Sequence, residues 1–276
     1  MKIPELLFVR HCPNLSPERK QFLTPHLDER VGNVIKEIHW VEDYNHDHPL
    51  VEWIGYTQKI PYGPKLLSNL VKTLYICKEL VKSGHDSAIM IDDDVVFHKD
   101  WKDILESVTL SPEIMFVNLG TSTFFTDVKP VLTKVYQLPN NGGCEGAYFT
   151  NKFAENFLKQ LNFQHATDII FHGFLHSVNH PILNIPICNQ TSIMEKNTSL
   201  DHELRKETPW VEFVKNFGDA PKQNFYHLEY EFQKYLEIKH IKEEKFFELY
   251  GKKINIRNVG YILGDTQDFC NDILKF

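Results

Sequence analysis

The amino-acid sequence predicts an α/β fold in which helices cover both faces of a mainly parallel sheet, with a helical extension at the C-terminal end. Three observations support this prediction. Short apolar runs alternate with amphipathic helical segments, one apolar run ends directly in Asp92-Asp93-Asp94, and Glu- and Lys-rich segments without strand patterns follow. We therefore expect a sheet domain over residues 1–200 and a helical extension packed on it over residues 201–276.

The first part of the chain is predicted to begin with a buried strand, followed by a helix that starts at Pro17 and ends before Pro25. Ser16 and Pro17 suit a helix cap and first turn, whereas Pro25 cannot continue a regular helix. The predicted elements here are a strand at Leu6–Arg10, a helix from Pro17 to about Leu23, a strand at Val34–Trp40 and a long loop over Val41–Pro64.

The middle of the chain repeats the alternation of helix and strand. An apolar stripe at helical spacing stops at Gly84, and a buried strand then runs into the three aspartates. The remaining predicted elements are helices at Lys65–Val81, Lys152–Leu161 and Asp168–Val178, strands at Ala88–Ile91, Ile114–Leu119, Val131–Gln137 and Ala147–Thr150, and one or two helices within Tyr226–Tyr250.

Charge and cysteine content exclude several classes of protein. The net charge of −7 leaves no broad basic field for nucleic acid, although a metal ion and a few cations can still hold a small diphosphate. Five dispersed cysteines without a CxxC pair are typical of free thiols in a reducing compartment. No apolar stretch is long enough for a signal-peptide core or a transmembrane segment, so we expect a soluble, intracellular (cytoplasmic) protein.

The acidic triplet is the strongest chemical signal in the sequence. Strand alternation turns Asp92 and Asp94 to one side and Asp93 toward the scaffold, and ligands of open α/β sheets bind beyond the carboxyl ends of strands. Two carboxylates suit a hard cation such as Mn²⁺ or Mg²⁺, which would stabilise a nucleoside diphosphate as it leaves. Asp92 and Asp93 are also candidates for direct contacts to such a nucleotide substrate. The alternative is a turn with a helix cap.

The triplet belongs to a series of short segments in a fixed order. The series comprises Phe8-Val9-Arg10 with Ser16-Pro17-Glu18-Arg19, Gly63–Asn69 with Asn69 where His is usual, Asp92-Asp93-Asp94 followed by Phe97, Gly143-Cys144-Glu145-Gly146-Ala147-Tyr148 with Ala154 in the next helix, Asp168 with Ile169 in place of an aromatic residue, Pro186–Gln190, and Ser199-Leu200. In this order the segments resemble glycosyltransferase family 25, which includes lipooligosaccharide and procollagen galactosyltransferases.

The resemblance covers about the first 200 residues and implies a GT-A glycosyltransferase with a Rossmann-like sheet. Such an enzyme would move a hexose, galactose or glucose, from a UDP-sugar to a hydroxyl group of a glycan or protein, with collagen-like hydroxylysine among the candidate acceptors. The departures from the family pattern at Asn69 and Ile169 leave the acceptor and the stereochemistry of transfer open.

The resemblance also implies several site residues. GT-A enzymes hold the nucleotide base and ribose just after the first strand, which indicates Arg10 and His11; an exposed loop pair is the alternative. Many of them supply a third metal ligand downstream, and His202 is best placed for it by order along the chain. Lys65 and Ser68, at a predicted helix start, can meet phosphate or simply form a solvated cap.

Further candidates lie on the next strand and in the loops around it. Asn118 and Gly120 are candidates for contacts to the sugar, and Gly143 either allows a close approach to ligand or makes a tight turn. Glu145 and Asp168 are candidate general bases, and the family pattern favours Asp168; ordinary surface acids are the alternative.

Other interpretations compete with this one. His172 and His176 share a helical face with Asp168 and could bind zinc, but partly buried histidines without a metal explain the pattern better. A nucleotidyltransferase uses similar carboxylates, yet no glycine lies between Arg10 and Arg19 to form its phosphate loop. A catalytically silent GT-A-like binding module is a third alternative. The C-terminal helices can form a homodimer interface or cap the domain.

Overall fold

A computed structural model describes residues 1–60, 62–120, 129–132, 135–137, 145–161, 163, 167–190 and 224–250. The chain divides into two compact units, Met1–Tyr226 and His227–Phe276. The first unit holds the sheet and the candidate site, and the described part of the second is helical. The predicted extension from residue 201 stays a prediction, because residues 191–223 lie outside the described part.

The described residues of the first unit form one sheet of nine strands. Its strands are β1 (Leu6–Arg10), β2 (Glu37–Val41), β3 (Ser87–Asp92), β4 (Val95–Phe97), β5 (Phe116–Gly120), β6 (Lys129–Leu132), β7 (Val135–Gln137), β8 (Gly146–Thr150) and β9 (Leu183–Gln190). Their order across the sheet is β2-β1-β3-β8-β5-β9-β7-β6, and β4 pairs with β9 outside this path. The pairings orient β1, β2, β3, β5, β6 and β9 in one direction and β4, β7 and β8 in the other.

Helices pack around the sheet, as the α/β prediction requires. Those of the first unit are α1 (Pro17–Arg30), α2 (Pro49–Thr57), α3 (Pro64–Ser83), α4 (Trp101–Glu106), α5 (Asn151–Lys159) and α6 (Thr167–Ser177), and α7 (Phe225–Tyr250) continues from the first unit into the second. None of the helices in the described part combines the length and apolarity needed to cross a membrane.

Side-chain alternation divides the helices between the two faces of the sheet. Leu7, Val9 and Ile89 share one buried core with α1 and α4. Residues of opposite parity face the other helices, since the Phe116 ring lies 5.1 Å from Phe153 on α5 and 5.3 Å from Phe171 on α6. Helices on both faces are therefore confirmed, and the faces are named below by α1 and by α5.

Two helix predictions were wrong in the first part of the chain. Helix α1 does not end near Leu23 but continues through Pro25 to Arg30, with Leu23 and Leu27 buried on either side of the proline. Burial of these two leucines offsets the one hydrogen bond that Pro25 removes. The predicted loop over Val41–Pro64 contains α2, whose signals are a capping His48, Pro49 in the first turn, and buried Leu50, Val51 and Ile54.

Several strands differ from the sequence predictions. The single strand predicted at Val131–Gln137 is a hairpin of β6 and β7, which pair antiparallel. Strand β9 was not predicted as a strand, because Pro186 within it lacks a backbone donor. The strand predicted at Val34–Trp40 begins later, at Glu37.

The zinc interpretation of α6 does not survive in the structure. His172 is fully buried, whereas His176, one turn later, is exposed, so the two rings do not serve one metal. Burial lowers the pKa of His172 to about 4. The interpretation as histidines of an amphipathic helix is the better one.

We predict that His172 makes the free energy of unfolding fall at acid pH. The unfolded chain takes up a proton near pH 6.5, whereas the folded chain resists until about pH 4, so stability is lost as the pH falls across this window. The loss attributable to His172 is about 3 kcal/mol. Urea unfolding of wild type and His172→Leu at pH 8 and pH 4.5 measures it.

The matched control is His176→Gln on the exposed side of the same helix, which should keep the wild-type pH dependence. An identical pH dependence in His172→Leu and wild type would contradict this account of the buried imidazole.

Candidate active site

A row of four residues crosses the sheet at the carboxyl ends of β1, β3 and β5. Arg10 pairs with Asp92, and the β3–β8 register continues to Glu145, whose carbonyl accepts a hydrogen bond of 3.0 Å from the Asp92 amide. The β5–β8 register likewise brings Gly120 opposite Glu145. Because β8 runs antiparallel between β3 and β5, its starting end lies at their finishing ends. The row therefore joins residues that are far apart in sequence.

Arg10 and Asp92 form the central ion pair of this row. Arg10 Nη2 lies 2.8 Å from Asp92 Oδ1, and Nη1 donates to Thr73 Oγ1 on α3 at 2.9 Å. The Arg10 side chain is buried, whereas Asp92 keeps 24% of its side-chain surface exposed. Burial raises the pKa of Asp92 to about 7, Arg10 opposes this shift, and the neighbouring carboxylates of Asp94, Asp93 and Glu145 add to it.

Asp93 turns to the opposite face of the sheet, as strand alternation predicts. Its Oδ1 accepts from Arg19 Nη1 on α1 at 2.8 Å, and its Oδ2 lies 2.7 Å from His11 Nδ1. Burial acts to raise the pKa of Asp93, but the hydrogen bonds from His11 and Arg19 outweigh it and the pKa is lowered. Asp93 is thus a scaffold carboxylate, fixed in its charged form.

Asp94 stands in the turn between β3 and β4, with its side chain buried. Arg19 Nη1 lies 3.4 Å from Asp94 Oδ2, a longer contact than the one to Asp93. Arg19 therefore serves two carboxylates and holds Asp94 the less tightly of the two.

A buried lysine fixes the strand ends that carry Arg10 and His11. Lys72 on α3 donates to the carbonyl of His11, to Val41 O at 3.3 Å and to Asn45 Oδ1 at 2.9 Å. Burial lowers the pKa of Lys72 to about 8. Through these bonds one helix side chain ties the ends of β1 and β2 to the loop that follows β2.

The Glu145 carboxylate lies over the backbone of Gly120. A Cβ atom placed on Gly120 would stand only 2.1 Å from Glu145 Oε1, so the carboxyl group occupies the space that any other residue would fill. Glu145 is buried, and its charge raises the pKa of Asp92 and, after the larger effect of burial, that of Cys188. Glycine at position 120 is therefore what admits this carboxylate beside the triplet.

Among the described side chains, this cluster holds more carboxylates than arginines. Its carboxylates are Asp92, Asp93, Asp94 and Glu145, and its cations are Arg10, Arg19 and, when protonated, His11. Like charges this close repel one another, and a cation among them lowers that repulsion. Carboxylate oxygens are hard donors of the kind that Mg²⁺ and Mn²⁺ prefer. A divalent cation therefore fits the charge and the donor chemistry of this cluster.

Within the described part of the chain, no three His, Cys, Asp or Glu side chains already surround one point.

The sequence-predicted residues fall into three groups. Those brought together at the row or beside it are Arg10, His11, Asp92, Asp93, Asp94, Asn118, Gly120 and Glu145. The second group consists of Lys65 and Ser68, which lie on α3 outside the row. Lys65 is exposed at the start of α3, and the hydroxyl of buried Ser68 donates a hydrogen bond of 2.6 Å to Tyr44 O. Gly143 and His202 lie outside the described residues, as does the side chain of Asp168, whose backbone is in the first turn of α6.

The structure excludes the alternative interpretation of Arg10 and His11 as an exposed loop pair, because each side chain is buried against an aspartate of the triplet. Their contact with a nucleotide stays a prediction. His11 also meets Trp40 edge-on, with ring centroids 5.6 Å apart. An open depression of about 580 Å³ begins at His11 and extends between α1 and Glu42 at the end of β2.

Sequence reasoning missed Arg19, Thr73, Lys72 and Asn184 as parts of the site. Arg19 was visible as the only arginine in the first turns of α1, but its distance from the triplet is 74 residues along the chain. Lys72 and Thr73 belong to α3, whose apolar stripe predicts only that its apolar residues pack in the core. Helical periodicity does not indicate that polar residues of the same helix are buried as well.

No protein-family model matches the sequence, and no curated protein matches it closely enough to count as a relative. Among solved structures, A197 from STIV is 15% identical over 66% of this chain and 82% of that chain, with a TM-score of 0.39. S. aureus TarS residues 1–349 is 14% identical over 95% of this chain and 78% of that chain, with a TM-score of 0.40. A glycosyltransferase involved in glycosylation of the PBCV-1 major capsid is 11% identical over 54% and 61%, with a TM-score of 0.31. Likenesses this weak assign neither a family nor an activity.

We predict that Arg10→Gln lowers the free energy of unfolding by about 3 kcal/mol at pH 8 in chelator, because it removes the cation paired with Asp92 beside three other carboxylates. Adding Asp92→Asn should recover much of the loss, since it removes that charge. Urea denaturation of the wild type and of both variants measures the effect.

The control is Lys102→Gln, which breaks a surface pair with Glu106 and should leave stability unchanged. Equal stability of Arg10→Gln and wild type would show that the ion pair does not hold the cluster together.

Proposed function

We propose that the protein is a metal-dependent glycosyltransferase that moves a hexose from a UDP-sugar to a hydroxyl acceptor on a glycan or protein. The observation that carries the proposal is the cluster of four carboxylates, Asp92, Asp93, Asp94 and Glu145, at the carboxyl ends of β1, β3 and β5. The order of motifs that resembles glycosyltransferase family 25 supports the choice of a sugar nucleotide as substrate. Galactose and glucose are the candidate sugars.

Asp92 and Asp94 are the residues that would hold Mn²⁺ or Mg²⁺ against the diphosphate. Asp92 is the partly exposed carboxylate, and Asp94 is the one that Arg19 holds less tightly. Asp93 serves through its bonds to His11 and Arg19, which fix the turn that carries both ligands. His202 stays the candidate for a third protein ligand. The bound ion would neutralise the negative charge of the departing nucleoside diphosphate.

Arg19 and the depression beside His11 are suited to the nucleotide. Arg19 brings a guanidinium to the cluster and can turn from Asp94 to a phosphate group, which it would bind through paired donors. Lys20 lines the depression, lies 5.0 Å from the centre of the Trp40 ring and pairs with Glu42 at 2.6 Å. The apolar surface of the depression suits the flat face of a nucleotide base, and the charged groups of Lys20 and Glu42 suit the hydroxyl groups of a ribose.

The transfer requires a group that accepts the proton of the acceptor hydroxyl. The bond between sugar C1 and the diphosphate oxygen breaks with its electron pair on the diphosphate, the acceptor oxygen bonds to C1, and its proton passes to a carboxylate. Glu145 is the base that we favour, because it lies beside Asp92 and over Gly120. Asp168 remains the alternative that the family pattern favours.

We predict that UDP-galactose or UDP-glucose raises the melting temperature only when Mn²⁺ or Mg²⁺ is present, and that donor hydrolysis follows the same dependence. Asp94→Asn should abolish the metal-dependent shift and lower turnover at least 100-fold, because it removes a charged ligand. Thermal shift and UDP release over a panel of sugar nucleotides measure both.

Asp103→Asn on α4 is a control that removes an exposed carboxylate away from the cluster and should behave as wild type. The proposal would be overturned by the absence of metal-dependent binding with every sugar nucleotide, or by pyrophosphate release from a nucleoside triphosphate and a sugar 1-phosphate, which is the nucleotidyltransferase reaction.

A further inference from the structure

The pairing of β5 with β9 is irregular directly beneath the candidate base. Asn118 pairs with Asn184, but Gly120 pairs with Cys188, so β5 advances by two residues while β9 advances by four. Pro186 lies in the extra stretch of β9 and brings no backbone donor to the ladder. The sheet therefore departs from regular pairing at the residue over which Glu145 lies.

The side chain of Asn184 spans this irregularity. Its Nδ2 donates to Asn118 O at 3.2 Å and to Gly120 O at 2.8 Å, and the residue is completely buried. Both amide hydrogens are thus committed to the backbone of β5. Its Oδ1 is buried without a hydrogen-bond partner among the described residues, so there the amide makes its hydrogen bonds through its donors alone.

A second asparagine fixes the same stretch of β5 from within. Asn118 Oδ1 accepts a hydrogen bond of 2.9 Å from the amide of Gly120. Together the two side chains bind both the N–H and the C=O group of Gly120. The backbone at Gly120 is thereby held in place although it lies at the end of its strand.

We infer that Asn184 is a positioning residue for Glu145 and acts through the backbone of Gly120. Glu145 packs directly on Gly120, so a shift of the Gly120 backbone shifts the surface that locates the carboxylate. Asn184 does not touch the metal, the donor or the acceptor in this scheme. The inference rests on the proposed function and adds to it the device that orients the base.

The test is a double-mutant cycle between Asn184 and Glu145. Asn184→Ala should lower kcat roughly 100-fold, as expected of a misplaced catalytic group, while the KM for the sugar nucleotide and the affinity for Mn²⁺ stay at wild-type values. Glu145→Gln should lower kcat by about 10²- to 10⁴-fold. The double variant should be no slower than Glu145→Gln alone, because Asn184 acts only through Glu145.

Two further variants keep the test decisive. Asn184→Ser retains a hydroxyl donor and should recover part of kcat, and it replaces the alanine variant in the cycle if that variant fails to fold. Leu158→Ala, which removes a buried side chain of α5, should lower the melting temperature and leave kcat unchanged at temperatures where it is folded.

Independent, multiplicative losses in the double variant would overturn the inference, as would wild-type kcat in Asn184→Ala. A loss confined to melting temperature and shared with Leu158→Ala would also overturn it. These outcomes presuppose turnover by the wild type. Failure of the proposed function is distinguished from them by the absence of metal-dependent donor binding and turnover in the wild type itself.

Discussion

The arrangement of this site depends on the partial compensation of clustered carboxylates by arginines from opposite faces of one sheet. The strand pleat sends Asp92 toward Arg10, which donates to Thr73 of α3, and Asp93 toward Arg19 on α1. Each helix therefore contributes to fixing the same short turn. The two guanidiniums hold the triplet in place, and Asp92 stays partly exposed at its edge, where a cation would lower the repulsion between the carboxylates.

The antiparallel strand β8 adds the fourth carboxylate to the site. Strand β8 runs against its neighbours β3 and β5, so the residue before it, Glu145, arrives at their carboxyl ends rather than at the opposite edge of the sheet. Gly120 then provides room for the carboxylate, and Asn184 holds the Gly120 backbone. Backbone pairing thus places a fourth carboxylate beside the triplet.

The sequence was sufficient where the physical signal is local. The buried strands β1, β3 and β5, helix α3 with its stop at Gly84, and the division of Asp92 from Asp93 follow from periodicity and the strand pleat. It was insufficient where partners are distant. The direction of β8, the burial of Arg10 and the reach of Arg19 depend on pairings between segments dozens of residues apart, and helix α1 passes Pro25 because tertiary burial outweighs local propensity.

Electron paramagnetic resonance of Mn²⁺ with UDP tests the central claim most directly, because it reports whether one ion touches both protein and diphosphate. The account predicts one Mn²⁺ per chain whose affinity rises when UDP is added, with a ³¹P coupling from the bound diphosphate. It also predicts loss of this signal in the Asp92→Asn/Asp94→Asn double variant. A wild-type protein that binds no Mn²⁺ in the presence of millimolar UDP, or a double variant that binds it equally well, would contradict the account.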